Sequence, residues 1–359
     1  MRLHTITRYL MTGLCLALPT LAVCAGPVAA SPVTRYTIIS LGTLGGDYTV
    51  ASAINDAGII VGFSRTARKT RRLTSYRYET HAFSWQGGKM RDLGTLGGDF
   101  STARAVNDQG EVVGYSEMDG SAAAYHHRHA FLYVRGRMRD LGTLPSNAWS
   151  EAAGINAQGK IVGTAGTGFR DDMGVTIQQA VIWSGGEIRA LDNPPSEAYG
   201  INRYGLVAGK KLENGFNPGE WSPVKKRSVP LLTDGWGCAF AINACGQVAG
   251  EDDGDGFGKP RQAFLSEANG ESADLPALPG QKIGSAKALN NLGAVVGVSG
   301  VACLWENRVA ADLNALIPQG NGWTLSEATG INDRGQICGN GAYRGNACAF
   351  LLTPIPEKP

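Results

Sequence analysis

The 359-residue chain contains no Gly-x-Ser-x-Gly elbow, no His-Glu-x-x-His pair and no Gly-x-x-x-x-Gly-Lys-[Ser/Thr] phosphate loop. Hydrolases of the elbow type, helical zinc proteases and P-loop nucleotide binders are thereby excluded. An enzyme assembled from scattered loop residues is not. Long apolar runs are lacking beyond residue 23, so no membrane span is expected after the first residues. An excess of one charge is lacking too. The 33 basic and 31 acidic residues nearly cancel, which argues against a general polyanion binder and leaves room only for a local basic patch.

The first thirty residues read as a signal peptide. Arg2 and Arg8 form a basic start, Leu10 to Val23 an apolar core, and Val28-Ala29-Ala30 a small-residue cleavage site. The expected mature chain, residues 31–359, is a single domain exported to the periplasm or medium. Five cysteines remain in it: Cys238, Cys245, Cys303, Cys338 and Cys348. An odd number leaves at least one thiol outside any internal pairing. Fifty glycines with modest charge suit a turn-rich all-β protein.

What is abundant is one pattern, Ala-x-[Ala/Gly]-apolar-Asn-x-x-Gly, followed by an apolar stretch and a second Gly. Seven copies centre on Asn55, Asn107, Asn156, Asn202, Asn243, Asn290 and Asn332. Their spacing of 41 to 52 residues is that of a repeat architecture, and a four-stranded unit of this length suits a propeller blade. In the second copy Ala103 to Val106 reads as a first strand and Asn107-Asp108-Gln109-Gly110 as a tight turn. Gly110 is expected at positive φ. Glu111 to Gly114 opens a second strand, His129 to Tyr133 forms a third, and Met138 to Leu144 a fourth. Four residues before every Asn stands Ala, and two before it Ala or Gly. Small residues there would let the innermost strands of neighbouring blades approach.

The last copy stops after its third strand, while Tyr36 to Leu44 supplies a spare fourth strand. Leu41-Gly42-Thr43-Leu44 matches Leu93 to Leu96. The expectation is therefore a seven-bladed β-propeller of four-stranded blades, its last blade closed by the N-terminal strand. An open solenoid would not explain the displaced strand.

His-Ala-Phe at 81–83 and 129–131, with Asn-Asp-x-Gly-x-Val-Val-Gly at 107–114, resembles the HAF repeat family of exported bacterial proteins. The resemblance implies an extracellular or periplasmic repeat protein with a propeller-like fold, and it brings no catalytic residues with it. The tryptophan–aspartate dipeptide of another propeller family is absent.

Candidate sites lie on the loops that lead into each first strand, since these surround the axis. They carry Asp47, Asp99, Glu151, Glu197 and Glu327. The three glutamates share one repeat position, five before the Asn, and so would converge on the channel mouth as a polar-ligand or cation site. The plainer reading is solvated turn carboxylates. Glu251, Asp253 and Asp255, followed by Gly256, match the opening of a calcium loop, but Lys259 and Gln262 stand where further ligands belong. His126, His127 and His129 lack a Cys or carboxylate at ligand spacing. Arg65, Arg68, Lys69, Arg71, Arg72 and Arg77 are expected on a solvated loop between second and third strands. Anionic glycan or lipid fits that loop better than nucleic acid, because only Tyr76 and Tyr78 lie nearby in sequence. Cys338 and Cys348 flank a turn and are a candidate disulfide.

These features favour a binding or scaffold module for an extracellular or periplasmic ligand, glycan or protein, with no nucleic acid expected. The alternatives are a propeller hydrolase acting on sugars or lactones through axial carboxylates, and an adhesion protein using the basic segment.

Overall fold

The computed structural model describes residues 36–71, 76–118, 127–145, 149–170, 174, 176–212, 216–222, 227–230, 236–254 and 260–356. Residues 1–30, expected to be a signal peptide, lie outside the described residues. Within them the chain is all-β: 28 strands and one short 3-10 turn, Leu313–Leu316. Among the described residues no helix is long and apolar enough to cross a membrane.

One repeat shows how the sequence builds the whole. In repeat two the strands Gly97–Val106, Val112–Met118, Arg128–Val134 and Arg137–Asp140 pair antiparallel in sequence order. The Gly110 amide donates to the Asn107 carbonyl at 3.0 Å. The Glu111 amide donates to Asn107 Oδ1 at 2.9 Å. Gly110 has φ of 77° and accordingly sits in the left-handed region. The first strand is bulged between Ala103 and Ala105, and the same shift recurs between the two small residues of all seven repeats. The bulge pushes the Thr102 carbonyl toward Gly114, where an added Cβ would lie 1.9 Å from that oxygen. Hence the second Gly of the pattern. Opposite it in register stands Phe131, fully buried. Val181 and Cys303 take the same place in repeats three and six, so Cys303 is a core residue. Each such Phe contributes about 1.5–3 kcal/mol by leaving water.

His129 Nδ1 lies 2.8 Å from Asp140, and His81 Nδ1 lies 2.8 Å from Asp92. The same aspartates accept from the Gly142 and Gly94 amides at 2.7 and 2.8 Å. The histidine of His-Ala-Phe is thus tied to the Asp of the fourth strand eleven residues on.

The core lies between neighbouring sheets. Val61, Ala82 and Leu93 of repeat one pack with Ala103, Val112 and Phe131 of repeat two. Side chains also bond across the repeats. Ser150 Oγ accepts from the Ala130 amide at 2.9 Å and donates to the Gly142 carbonyl at 2.7 Å. The seven asparagines form a circuit. Each buried Nδ2 donates to the carbonyl of the next repeat's Asn at 2.8 to 3.2 Å, and Asn332 donates to Asn55 at 3.0 Å. One side chain therefore does two jobs, with Oδ1 shaping its own turn and Nδ2 tying the neighbour.

Tyr36–Ser40 pairs antiparallel with Asn346–Pro354, beside Ile337–Tyr343 and Trp323–Ile331. Tyr36 faces Pro354 and Ser40 faces Phe350 in register. The proposed disulfide does not form: Cys338 and Cys348 are both free thiols. In register Cys338 pairs with Leu351 and Cys348 with Gly341, several residue pairs apart along the two strands. The Cys338 side chain is buried in the core, and burial pushes its thiol up to about 12.

The basic segment is also corrected. It is not a loop, because Ile60–Arg71 and Tyr76–Gln86 continue as a long hairpin with Lys69 opposite Tyr78 and Arg71 opposite Tyr76. Arg72 lies outside the described residues, as does His126. His127 is exposed.

Candidate functional site

A cavity of about 470 Å³ opens on the axis, walled by the innermost strands. Its wall has a rule. The residue three before each Asn lines it in every repeat: Ser52, Arg104, Ala153, Tyr199, Phe240, Lys287 and Thr329. This is the bulged residue between the two small positions, and the bulge aims it inward. Its neighbours, Ala at minus four and Ala or Gly at minus two, hardly vary along the chain. The residue between them is different in all seven copies.

Glu151, Glu197 and Glu327 join this wall, as their shared repeat position predicts. Asp47 and Asp99 do not line the cavity. They lie eight before the Asn rather than five, and Asp47 instead holds Arg65 at 3.1 Å on the exposed surface.

The glutamates differ in their surroundings. Glu151 is paired with the Arg128 Nε. Arg128 also lies against Tyr115 and Trp149, with guanidinium to ring-centre distances of 5.3 and 5.1 Å. Glu197 accepts from Lys210 at 2.7 Å, from the Tyr199 hydroxyl at 2.6 Å and from Gln178. Burial, with the adjacent Glu197 charge, pushes the Tyr199 hydroxyl far above its ordinary value, so it stays a donor. Glu327 is partly exposed, and its side chain makes no ion pair or hydrogen bond among the described residues. Beside it Thr329 donates to the Ala51 carbonyl at 3.0 Å. Asn340 brackets the same residue, accepting from its amide at 2.8 Å and donating to its carbonyl at 3.2 Å. Lys287 Nζ lies 4.2 Å from the Phe240 ring centre, and Phe240 packs on Tyr199 with centroids 5.5 Å apart.

The cavity thus combines three glutamates, three cations and four aromatic side chains, Phe63, Trp149, Tyr199 and Phe240. Such a lining hydrogen-bonds hydroxyls and pairs with charged groups without favouring one sign.

Of the calcium candidates, Glu251 is buried and faces two cations, Arg261 at 3.5 Å and Lys287 at 3.7 Å. The Asp253 side chain and all of Asp255 lie outside the described residues. Among the described residues no group of His, Cys, Asp or Glu is arranged to hold a metal ion.

The sheets and axial cavity define a propeller-type fold, and two solved structures with TM-scores above 0.5 agree. The β-propeller domain of the Trilobed protease from Pyrococcus furiosus, of open velcro topology, matches with TM-score 0.54 at 9% identity, covering 87% of this chain and 100% of that one. The Pyrococcus horikoshii acylaminoacyl peptidase matches with TM-score 0.53 at 12% identity, covering 86% of this chain and 52% of that one. TolB from Acinetobacter baumannii matches with TM-score 0.46 at 11% identity, covering 83% of this chain and 64% of that one. The chain therefore spans about half of the peptidase and less than two thirds of TolB. No family model matches the chain, and no curated protein is detectably similar in sequence.

Proposed function

We propose that the chain is an exported seven-bladed β-propeller of the HAF repeat type that binds a ligand in its axial cavity. Export is supported by the basic, apolar and small-residue order of residues 1–30. Seven blades and closure are supported by the seven-membered asparagine circuit and by the pairing of Tyr36–Ser40 with Asn346–Pro354.

The observation that carries the binding reading is the contrast along the first strands. Framework positions repeat, while the position that lines the cavity in every repeat holds a different residue in each copy. Folding alone asks for no such divergence, whereas a ligand with an asymmetric outline does. Hydrolysis of sugars or lactones is the weaker reading. Glycoside hydrolysis uses two carboxylates in distinct roles, and here Glu151 and Glu197 are each held by a cation, leaving Glu327 alone.

A glycan and metabolite panel, titrated calorimetrically against the full chain, tests the proposal. A ligand should emerge whose affinity falls ~10-fold or more in Tyr199→Ala and in Lys287→Ala, as loss of a central contact implies. Both variants should keep the wild-type circular dichroism spectrum while melting somewhat lower, since Tyr199 packs on Phe240 and Lys287 faces the buried Glu251. Binding indifferent to both substitutions would move the site elsewhere. Turnover of a panel member abolished by Glu327→Gln would favour the enzyme.

A further inference from the structure

The cavity continues outward along a row of rings that only the fold brings together. Tyr48 and Phe100 stand seven before their asparagines, and Phe63 and Tyr115 eight after theirs. The ring centroids of Tyr48, Phe63, Phe100 and Tyr115 follow one another at 6.1, 6.0 and 5.9 Å. All four rings are partly exposed. The row meets the cavity at Phe63 and, beside its Tyr115 end, at Arg104 and Arg128, all three of which line it. Arg104 lies over Tyr115 at 5.6 Å. At the outer end Arg65 sits between Tyr48 and Tyr78, at 5.3 and 5.2 Å, and Lys69 lies over Tyr78 at 4.5 Å. The four rings run in direct succession, with cations at both ends of the row.

Resting on the axial-cavity reading, we propose that this row and the cavity form one elongated site for an acidic oligosaccharide. The ring faces, negative at their centres, take the C–H faces of sugar rings. Arg104 and Lys69 pair with uronate carboxylates, the guanidinium bidentately. Glu197 and Glu327 on the cavity wall accept from sugar hydroxyls. Successive rings of the row are tilted by 31° to 50° and so present no set of parallel faces. That shape suits a twisting pyranose chain better than stacked bases. The nearly balanced net charge keeps the attraction local to the row.

Calorimetric titration of the full chain with galacturonate oligomers, a malto-oligosaccharide and oligothymidylate tests the proposal. Hexagalacturonate should bind, more weakly as salt rises, and ~10-fold more weakly in Arg104→Gln, the size of one lost central contact. Lys69→Gln should weaken the hexamer and leave the dimer unchanged. Arg104 and Lys69 are both exposed, so these variants keep the fold. Equal binding of the neutral and acidic chains, insensitive to Arg104→Gln but lost in Tyr199→Ala, overturns the acidic class and leaves the cavity reading intact. Affinity independent of chain length confines the site to the cavity and overturns the elongated site. Binding of oligothymidylate alone, or of no probe, overturns the proposal outright.

Discussion

Gly110 and Gly114 stand four residues apart in one repeat and are glycines for different reasons. Gly110 needs its positive φ, while a Cβ there meets only Ile59 Cδ1 at 3.5 Å. Gly114 has no such torsion, but a Cβ there would overlap a backbone carbonyl that the bulge cannot withdraw. Gly110→Ala should therefore cost about 1–2 kcal/mol, the price of the left-handed region for an L-residue. Gly114→Ala should cost ~3 kcal/mol or more, in the range of severe overpacking. Urea unfolding of the two variants checks the order, and equal costs would remove the bulge argument. Asp92 adds a pH dependence. Burial alone would raise its pKa, but the hydrogen bonds from His81 and the Gly94 amide, with the His81 charge, outweigh burial and hold it below the usual carboxylate range. A depressed carboxyl stabilises the fold fully above its unfolded value, near ~4, and the contribution is lost as pH falls through the lower folded value. The stability gap between wild type and Asp92→Asn should be open at pH 7 and shrink below pH ~4, where the native pair is being protonated. A gap of constant size across that range would refute the pairing. In the sequence the asparagines were legible as turn residues, but their Nδ2 bonds were not. That second role needs a partner more than forty residues away.

At the scale of elements, the spare strand was legible because Leu41-Gly42-Thr43-Leu44 repeats the sequence at fourth strands elsewhere, although the strand itself ends at Ser40 and the matching residues follow it, as Leu141 to Leu144 follow Arg137–Asp140. Its place beside Asn346–Pro354 follows from the gap in repeat seven. Tyr36 is buried there, packed with Leu325, Ile337 and Phe350. Deleting residues 36–40 removes that ring and opens an unpaired edge on Asn346–Pro354. A melting temperature lowered by several degrees and a concentration-dependent shift toward dimers in sedimentation are the expected outcomes; an unchanged monomer would argue that the strand is dispensable. The hairpin of repeat one was misread as a loop because its residues are basic and interrupted by a register shift between Arg65 and Lys69. The row of rings was illegible for a related reason. Its members come from first and second strands of successive repeats and share no sequence window.

The molecule as a whole was readable where the seven copies agree and opaque where they differ. Agreement marks packing: the Ala at minus four is fully buried in every repeat. The varied position at minus three gave no signal in the sequence, since variation there looks like tolerance until the strand is seen facing the cavity. Glu151, Glu197 and Glu327 were found because three copies share a carboxylate, whereas Lys287 and Tyr199 each occur once. Asp47 and Asp99 were misplaced with them because loop and strand cannot be told apart at a Gly-Gly step.

The pairing of the first strand with the last also dictates an order of events. Thr37 and Thr353 meet across 316 positions of chain. Contacts between sequential strands within each repeat can form as soon as their residues are available, but the final sheet must wait for nearly the whole polypeptide. Such a non-local contact carries the largest loop-closure cost and comes late. Until then the first strand is without its partner and the last repeat shows a naked edge, so the interval before the two meet is when a neighbouring chain's first strand competes for the same berth. Dilution during refolding, rather than any change of solvent, should thus govern how many molecules become correct monomers and how many exchange strands.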